Sequence, residues 1–271
     1  MEQNNTPEQQ QLEEKLIEHL KAEFGSLQNS RHNWESMWQD IGELTIPARA
    51  DFNTHRAKGE NRRSRIFDST PVRSLTRFAS GLHNMLVPST IPWFIITTQN
   101  RQAAKDRDIS LWLEQAQLHI QDNFNRPSTN FHPSLHEYMQ DLGAFGTGVM
   151  MIIDRPGEGP YYLSIPLYDC YLAINDLGRV DTLYRLYEHT AKELLDAYGP
   201  ELLPESVTGA LEKNNAFKRF ECINVIKPSK HLNLPVPIQM PYVSIFWLRS
   251  ENKILSVKGF NEQPFICSKH F

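Results

Sequence analysis

The feature that most limits what this chain can fold into is a change of periodicity at Gly148. Before it, apolar residues recur at three- and four-residue spacing; after it, short alternating runs are separated by turn residues. Thr6-Pro7-Glu8-Gln9 supplies an N-cap, a first helical proline and the acceptor of a capping box, and Leu12, Leu16, Leu20 and Phe24 then share one face. Ser30 is placed to cap a second helix carrying Trp34, Met37, Trp38, Ile41 and Leu44, which must end before Pro47. Asp68-Ser69-Thr70-Pro71 opens another helix, with Val72, Leu75, Ala79, Leu82 and Leu86 inward and Val87-Pro88 as its stop. Residues 93–97 read as a short strand and 106–124 as a helix. Asn130 is placed to cap a helix containing Leu135, Tyr138, Met139 and Leu142.

Strands are expected over 149–154, 161–165, 171–174, 179–187, 220–226, 242–248 and 253–257. Thr190-Ala191-Lys192-Glu193 is a second capping box, opening a short helix that stops at Gly199-Pro200; another short helix is expected over 205–213. Helices followed by strands predict an α+β fold rather than a doubly wound parallel sheet. Amphipathic helices occupy the first half and an antiparallel-rich β sheet the second, with a mainly helical part over 1–148 and a β-rich part over 149–271.

With 271 residues, 40% of them hydrophobic, the chain can bury one large core or two smaller ones. The uncharged, largely apolar stretch 142–153 has 12 residues, against about 20 for a spanning helix, and no membrane segment is expected. The acid-rich start MEQNNTPEQQQLEEK does not resemble a secretory leader. Cys170, Cys222 and Cys267 are too few and too far apart for a disulfide framework or a zinc site, which fits a reducing compartment.

Candidate chemistry is sparse. Gly143-Ala144-Phe145-Gly146-Thr147-Gly148 looks like a phosphate loop, but it follows a helix and precedes a strand, the reverse of what an anion at a helix N-terminus needs. Its glycines fit a helix C-terminus with close packing instead. His132 and His136 share a helix face, yet position 140 is Gln, not a third ligand, and Cys267 with His270 offers no fuller set. With no nucleophile elbow and no acidic metal cluster, no enzyme activity, cofactor or metal is expected. The notable imbalance is basic. From Arg49 to Arg77 the segment carries +5, leaving −9 on the remainder of a chain whose total is −4. Arg56, Lys58, Arg62, Arg63, Arg65, Arg73 and Arg77 are candidates for phosphate contacts, each a salt-dependent increment, or for pairing with carboxylates of a neighbouring domain or subunit.

The same region carries a resemblance. Phe67-Asp68-Ser69-Thr70, Ala79-Ser80-Gly81-Leu82 and Pro88-Ser89-Thr90-Ile91-Pro92-Trp93-Phe94 follow the basic loop in order. The segment WQDIGELTIPAR (residues 38–49) precedes them, and NFHPSLHEYMQDLGAFGTGVMMI (130–152), LGRVDTLYR (177–185) and GFNEQPF (259–265) come after. Taken together, from about residue 30 to the end, these motifs resemble the head-to-tail connecting (portal) proteins of short-tailed bacteriophages. The resemblance implies a structural subunit without catalysis. Identical copies, typically twelve, would form a ring that passes double-stranded DNA during packaging and ejection. Its implied partners are the terminase, scaffold or capsid proteins and the tail, and its place is the virion head–tail junction after assembly in the host cytoplasm. It further implies that this chain matches the peripheral wing region. The stem, clip and crown would be missing, as in a fragment, a split gene or a prophage remnant. The alternative is a soluble nucleic-acid-binding module using residues 56–77.

Overall fold

A computed structural model describes residues 7–54, 60–61, 66–88, 90–100, 102–232 and 240–269. Helices α1 (Pro7–Thr45), α2 (Thr70–Leu86), α3 (Arg107–Asn125) and α4 (Phe131–Phe145) precede strands β1 (Thr147–Arg155), β2 (Gly159–Ile165), β3 (Cys170–Ile174) and β4 (Val180–Thr190). Helices α5 (Ala191–Tyr198) and α6 (Glu205–Glu212) come next, then β5 (Arg219–Pro228), β6 (Tyr242–Leu248), β7 (Lys253–Phe260) and β8 (Phe265–Lys269). Every strand pairing is antiparallel. The fold is α+β, as the sequence predicts.

The chain forms two compact units, Met1–Ser36 with Asp169–Gln263, and Met37–Tyr168 with Pro264–Phe271. In the first, β3-β4-β5-β6-β7 make a five-stranded meander in chain order. Strict alternation lets it bury both faces. Val243, Ile245 and Trp247 of β6 join Ile223, Val225, Tyr184 and Tyr171 under Ile17, Leu20 and Phe24 of α1. Phe246, Leu248, Cys222 and Phe220 point the other way, under Ala191 and Leu194 of α5 and Val207 and Ala210 of α6. The capping box at Thr190 is formed as read: Thr190 Oγ1 accepts from the Glu193 N–H at 3.3 Å, and Glu193 Oε2 accepts from the Thr190 N–H at 2.9 Å.

Two expected helices are in fact one. α1 runs unbroken through Gly25, and Ser30 caps nothing; its hydroxyl donates to the Ser26 carbonyl one turn back at 3.0 Å. The unbroken helix lets Arg31 reach the sheet. Its guanidinium donates to the Cys170 carbonyl at 2.8 Å and the Tyr171 hydroxyl at 3.0 Å, and lies 3.7 Å from the Tyr171 ring centroid. About two turns nearer the N-terminus, Glu23 Oε2 accepts from Lys227 Nζ at 2.6 Å and from the Tyr184 hydroxyl at 2.5 Å. Burial and the Glu23 carboxylate both push the Tyr184 phenol above its ordinary pKa, so it remains a donor.

In the second unit β1 is central, with β2 on one side and β8 on the other. α4 and α2 cover this sheet through Ala79, Leu135, Tyr138, Met139, Met150 and Tyr162. The segment expected as a strand over 93–97 is irregular. It docks by its aromatic rings instead: Trp93 lies 5.6 Å from Phe124 and 4.8 Å from Phe94, and Phe124 lies 4.4 Å from Phe131. Rings that must face one helix surface override the local preference for extended pairing.

Lys227 is buried, with 2% of its side chain exposed, and Glu23 is the carboxylate in contact with it. Removing one member of such a pair leaves a buried charge, so Glu23→Ala should cost about 3 kcal/mol. Urea denaturation would register this as a lower midpoint with an unchanged slope, and a Glu23→Leu/Lys227→Met double variant should recover most of the loss.

Candidate functional site

The second unit carries the cationic residues singled out in the sequence, and its geometry divides them. α1 ends as the Ile46 N–H bonds to the Gly42 carbonyl at 2.8 Å, and Pro47–Arg49 form a short 3-10 turn. Gln39 holds the chain that follows, donating to the Ala50 carbonyl and accepting from the Phe52 N–H, each at 2.8 Å. This turn aims Arg49 inward. Its guanidinium donates to Asp141 Oδ2, to Glu137 Oε2 at 2.6 Å and to Ser164 Oγ at 3.1 Å. Arg49 therefore ties the exit of α1 to α4 and β2. It pairs with carboxylates of its own unit, so it is not one of the cations offered to an outside partner.

Asp141 is fully buried and its Oδ1 makes no hydrogen bond. Burial pushes its carboxyl up to about 7 against the opposing pull of Arg49. Such a shift is common at catalytic sites. Here the carboxyl faces a structural guanidinium, and among the described residues no three His, Cys, Asp or Glu side chains are grouped to hold a metal ion.

The glycine-rich turn serves packing. Gly146 closes α4 at φ 69°, its N–H bonding to the Leu142 carbonyl at 3.0 Å. A Cβ on Gly143 would stand 2.8 Å from the Phe78 ring, and one on Gly148 would stand 2.9 Å from the Tyr138 carbonyl. A helix C-terminus, the negative end of the dipole, faces this loop, which suits no phosphate.

Arg73 and Arg77 lie one turn apart on the exposed face of α2, in line with Ser80 and Asn84, while Leu75 and Ala79 are buried. Asp68 fixes the start of that helix, accepting from the Thr70 N–H at 3.0 Å and hydroxyl at 2.9 Å, which holds its carboxyl below the ordinary value. The same unit also leaves apolar side chains bare. Phe67 is 97% exposed and Met85 83%, and on α3 Trp112 is 66% exposed. Arg56, Lys58, Arg62, Arg63 and Arg65 lie outside the described residues.

The model of one protein family, the bacteriophage head to tail connecting proteins, matches residues 18–270. The chain belongs to this family. Among the curated relatives of this chain are the portal protein of Salmonella phage epsilon15, 26% identical over 93% of this chain and 46% of its own, and the probable portal protein of Bordetella phage BPP-1, 26% identical over 81% and 39%. The chain thus spans less than half the length of the curated relatives it matches.

Within this connector the motifs that carry the resemblance acquire separate duties. Arg49, the arginine of the Pro-Ala-Arg exit, is an internal tie, and Ala79 of Ala-Ser-Gly-Leu is fully buried in the core with Leu135 and Tyr138. Phe67, by contrast, faces solvent. Sequence reasoning missed the exposed apolar residues of α3. Leu111 and Leu118, seven apart and half-exposed, oppose the Ile109–Leu113–Ala116 stripe, and that second stripe was the available signal.

Arg49→Met strands the Asp141 carboxylate. The expected cost is about 3–5 kcal/mol near pH 8 and is smaller near pH 5, where the carboxyl takes up a proton. Chemical denaturation at both pH values checks this, and adding Asp141→Asn should flatten the difference.

Proposed function

We propose that this connector chain is the peripheral part of a portal subunit, a structural component without catalysis. In this reading identical subunits form a ring at the head–tail junction of the virion, assembled in the host cytoplasm, and double-stranded DNA passes through it during packaging and ejection. The terminase, scaffold or capsid proteins and the tail are its other partners, and a twelve-membered ring is the expected stoichiometry. The observation that carries the reading is the family match over residues 18–270, a span that contains the ordered motifs. Two further features support it. α2 and α3 expose Phe78, Met85, Leu86, Trp112 and Leu118, apolar side chains of the kind an interface covers, and neighbours in a ring meet through different, heterologous faces. Because the relatives are more than twice as long as the segment they share with this chain, we assign the matched region to the wing, and the stem, clip and crown to polypeptide beyond the match.

Arg56, Lys58, Arg62, Arg63, Arg65, Arg73 and Arg77 are then proposed as contacts to the next subunit or to DNA phosphates. The alternative of a free-standing nucleic-acid-binding module draws no support from the comparisons, which return portal proteins. The two differ in salt response. A module using seven cations should lose at least a hundredfold in duplex affinity between about 50 and 200 mM salt.

Assembly is the decisive test. Light scattering and negative-stain microscopy of the chain, alone and fused to its downstream reading frame, should reveal closed rings of one size. Monomers under every condition in both forms would overturn the reading. Replacing Arg73 and Arg77 by Glu should weaken ring formation at least tenfold in concentration while leaving the melting temperature of the single subunit unchanged.

A further inference from the structure

The histidines His132 and His136, too few for a metal site by their own spacing, have a third member that lies far away in sequence. His83, in the last turn of α2, places its Nε2 3.0 Å from His132 Nδ1. The His83 and His132 ring centroids are 5.2 Å apart, and those of His83 and His136 are 6.4 Å apart. Hydrogen bonds fix where the protons are. His132 Nε2 faces the carboxamide oxygen of Asn125 at 2.8 Å and must donate to it. Its Nδ1 is therefore the acceptor, and His83 Nε2–H the donor. His136 Nε2 accepts from the Gln140 amide at 3.3 Å. The arrangement is complete with all three rings neutral. A second proton on His132 would set two N–H groups against each other across 3.0 Å. One on His83 would create a cation beside the other two rings.

Among the described residues no counter-charge waits for that proton. α2 contains no Asp or Glu, and its other charges, Arg73 and Arg77, are positive. The two carboxylates of α4, Glu137 and Asp141, are both engaged by Arg49. From α3 the group that meets the cluster is Asn125, which is neutral, flanked along the chain by Asp122 and Arg126 of opposite sign. The charged residues of β1, which also packs on α4, are Asp154 and Arg155, and Arg155 pairs with Glu158 at 2.8 Å; β2 carries none. His132 sits at the second residue of α4, where the positive end of the helix dipole opposes a cation. The dipole of α2 favours a charge on His83, but burial prevails: its pKa is lowered first by burial, then by His132 and His136, and that of His132 is lowered by burial.

We infer that the His83–His132 pair, with His136 beside it, forms a proton-sensitive joint between α2 and α4, closed while the two paired rings are neutral and opened in mildly acidic medium. A histidine whose pKa is lowered by folding binds fewer protons folded than unfolded. Its contribution is fully present above the ordinary value of 6.5 and is lost as pH falls through the lowered one. Opening frees the last turn of α2, where the His83 carbonyl holds the Val87 N–H at 2.8 Å. The five-stranded meander carries none of these histidines and stays folded.

Hydrogen–deuterium exchange on the full 271-residue chain tests this. After correction for the intrinsic rate, protection of amides 82–87 should fall about tenfold or more between about pH 7.5 and about pH 5.5, while β5 and β6 hold theirs. The His83→Gln/His132→Gln double variant keeps hydrogen-bonding side chains without a titrating ring and should show no such fall. Equal protection at both pH values, or an equal fall in the variant, overturns the inference. Should the variant not fold, ring-nitrogen NMR of the unaltered chain decides. Midpoints of His83 and His132 below 6.5 uphold the joint, and midpoints at or above that value dismiss it.

Discussion

A carboxylate with no solvent exposure, Asp141 on the inner side of α4, is the constraint around which the second unit is organised. A lone buried charge costs several kcal/mol, and here Arg49 offsets it, so the turn Pro47–Arg49 can sit in one place only. Ser164 and Glu137 complete the guanidinium's bonds, which sets β2 and α4 relative to the same point. Buried ion pairs add little net stability over apolar packing, but they penalise wrong registers heavily. The long side chain of Arg49 therefore acts as a gauge. The exit of α1, the start of the basic segment and the helix that supports α2 are positioned by one cluster of polar atoms.

Much of this architecture was legible in the residues because local and tertiary preferences agree. The strands from β3 to β7 alternate so strictly that both faces of the meander can be read from β6 alone, and the Thr190–Glu193 box marks α5 to the residue. Where the two levels conflict, the sequence misleads. Ser30 looks like a cap, but the continuing pull of Ile17, Leu20 and Phe24 on the sheet, extended by Arg31, carries α1 straight through it. Residues 93–97 look like a strand, yet Trp93 finds a better partner in Phe124 than any unpaired edge provides. Asn130 precedes α4 as expected, but its side chain makes no capping bond: the residue is left-handed, φ 56°, and its amide donates to Ser134 Oγ and the Tyr162 carbonyl. The candidate site was less legible. Whether an arginine is a tie or an offered charge depends on what packs around it, and Arg49 and Arg73 cannot be told apart by composition.

The surface around α2 joins two kinds of interaction that usually occupy different places. Arg73 and Arg77 are exposed on the helix, and Phe78, Met85 and Leu86 of the same helix are bare apolar side chains. In a family of connectors this combination suits a contact that must be strong yet correctly phased. Apolar area supplies most of the affinity, and charge sets the register and the approach. The same helix is seated on its supporting layer through Leu75, Ala79 and the His83–His132 pair, so the outer surface inherits whatever play exists in that seat.

Strand β8 closes the sheet of the second unit, pairing Thr147 with Lys269 and Met151 with Phe265. Everything between Asp169 and Gln263 belongs, with Met1–Ser36, to the first unit, so in sequence the larger part of that unit interrupts the second. On the ribosome, β1 and β2 emerge early and wait, with one edge of β1 unpaired, while the entire meander is made. Such an edge is a template for pairing with other chains, and closing so long a loop is slow until the inserted part has folded and shortened it. The order of synthesis therefore makes the first unit a folding prerequisite for the second, and an interruption of translation anywhere before residue 265 would leave a sticky edge rather than a smaller working piece.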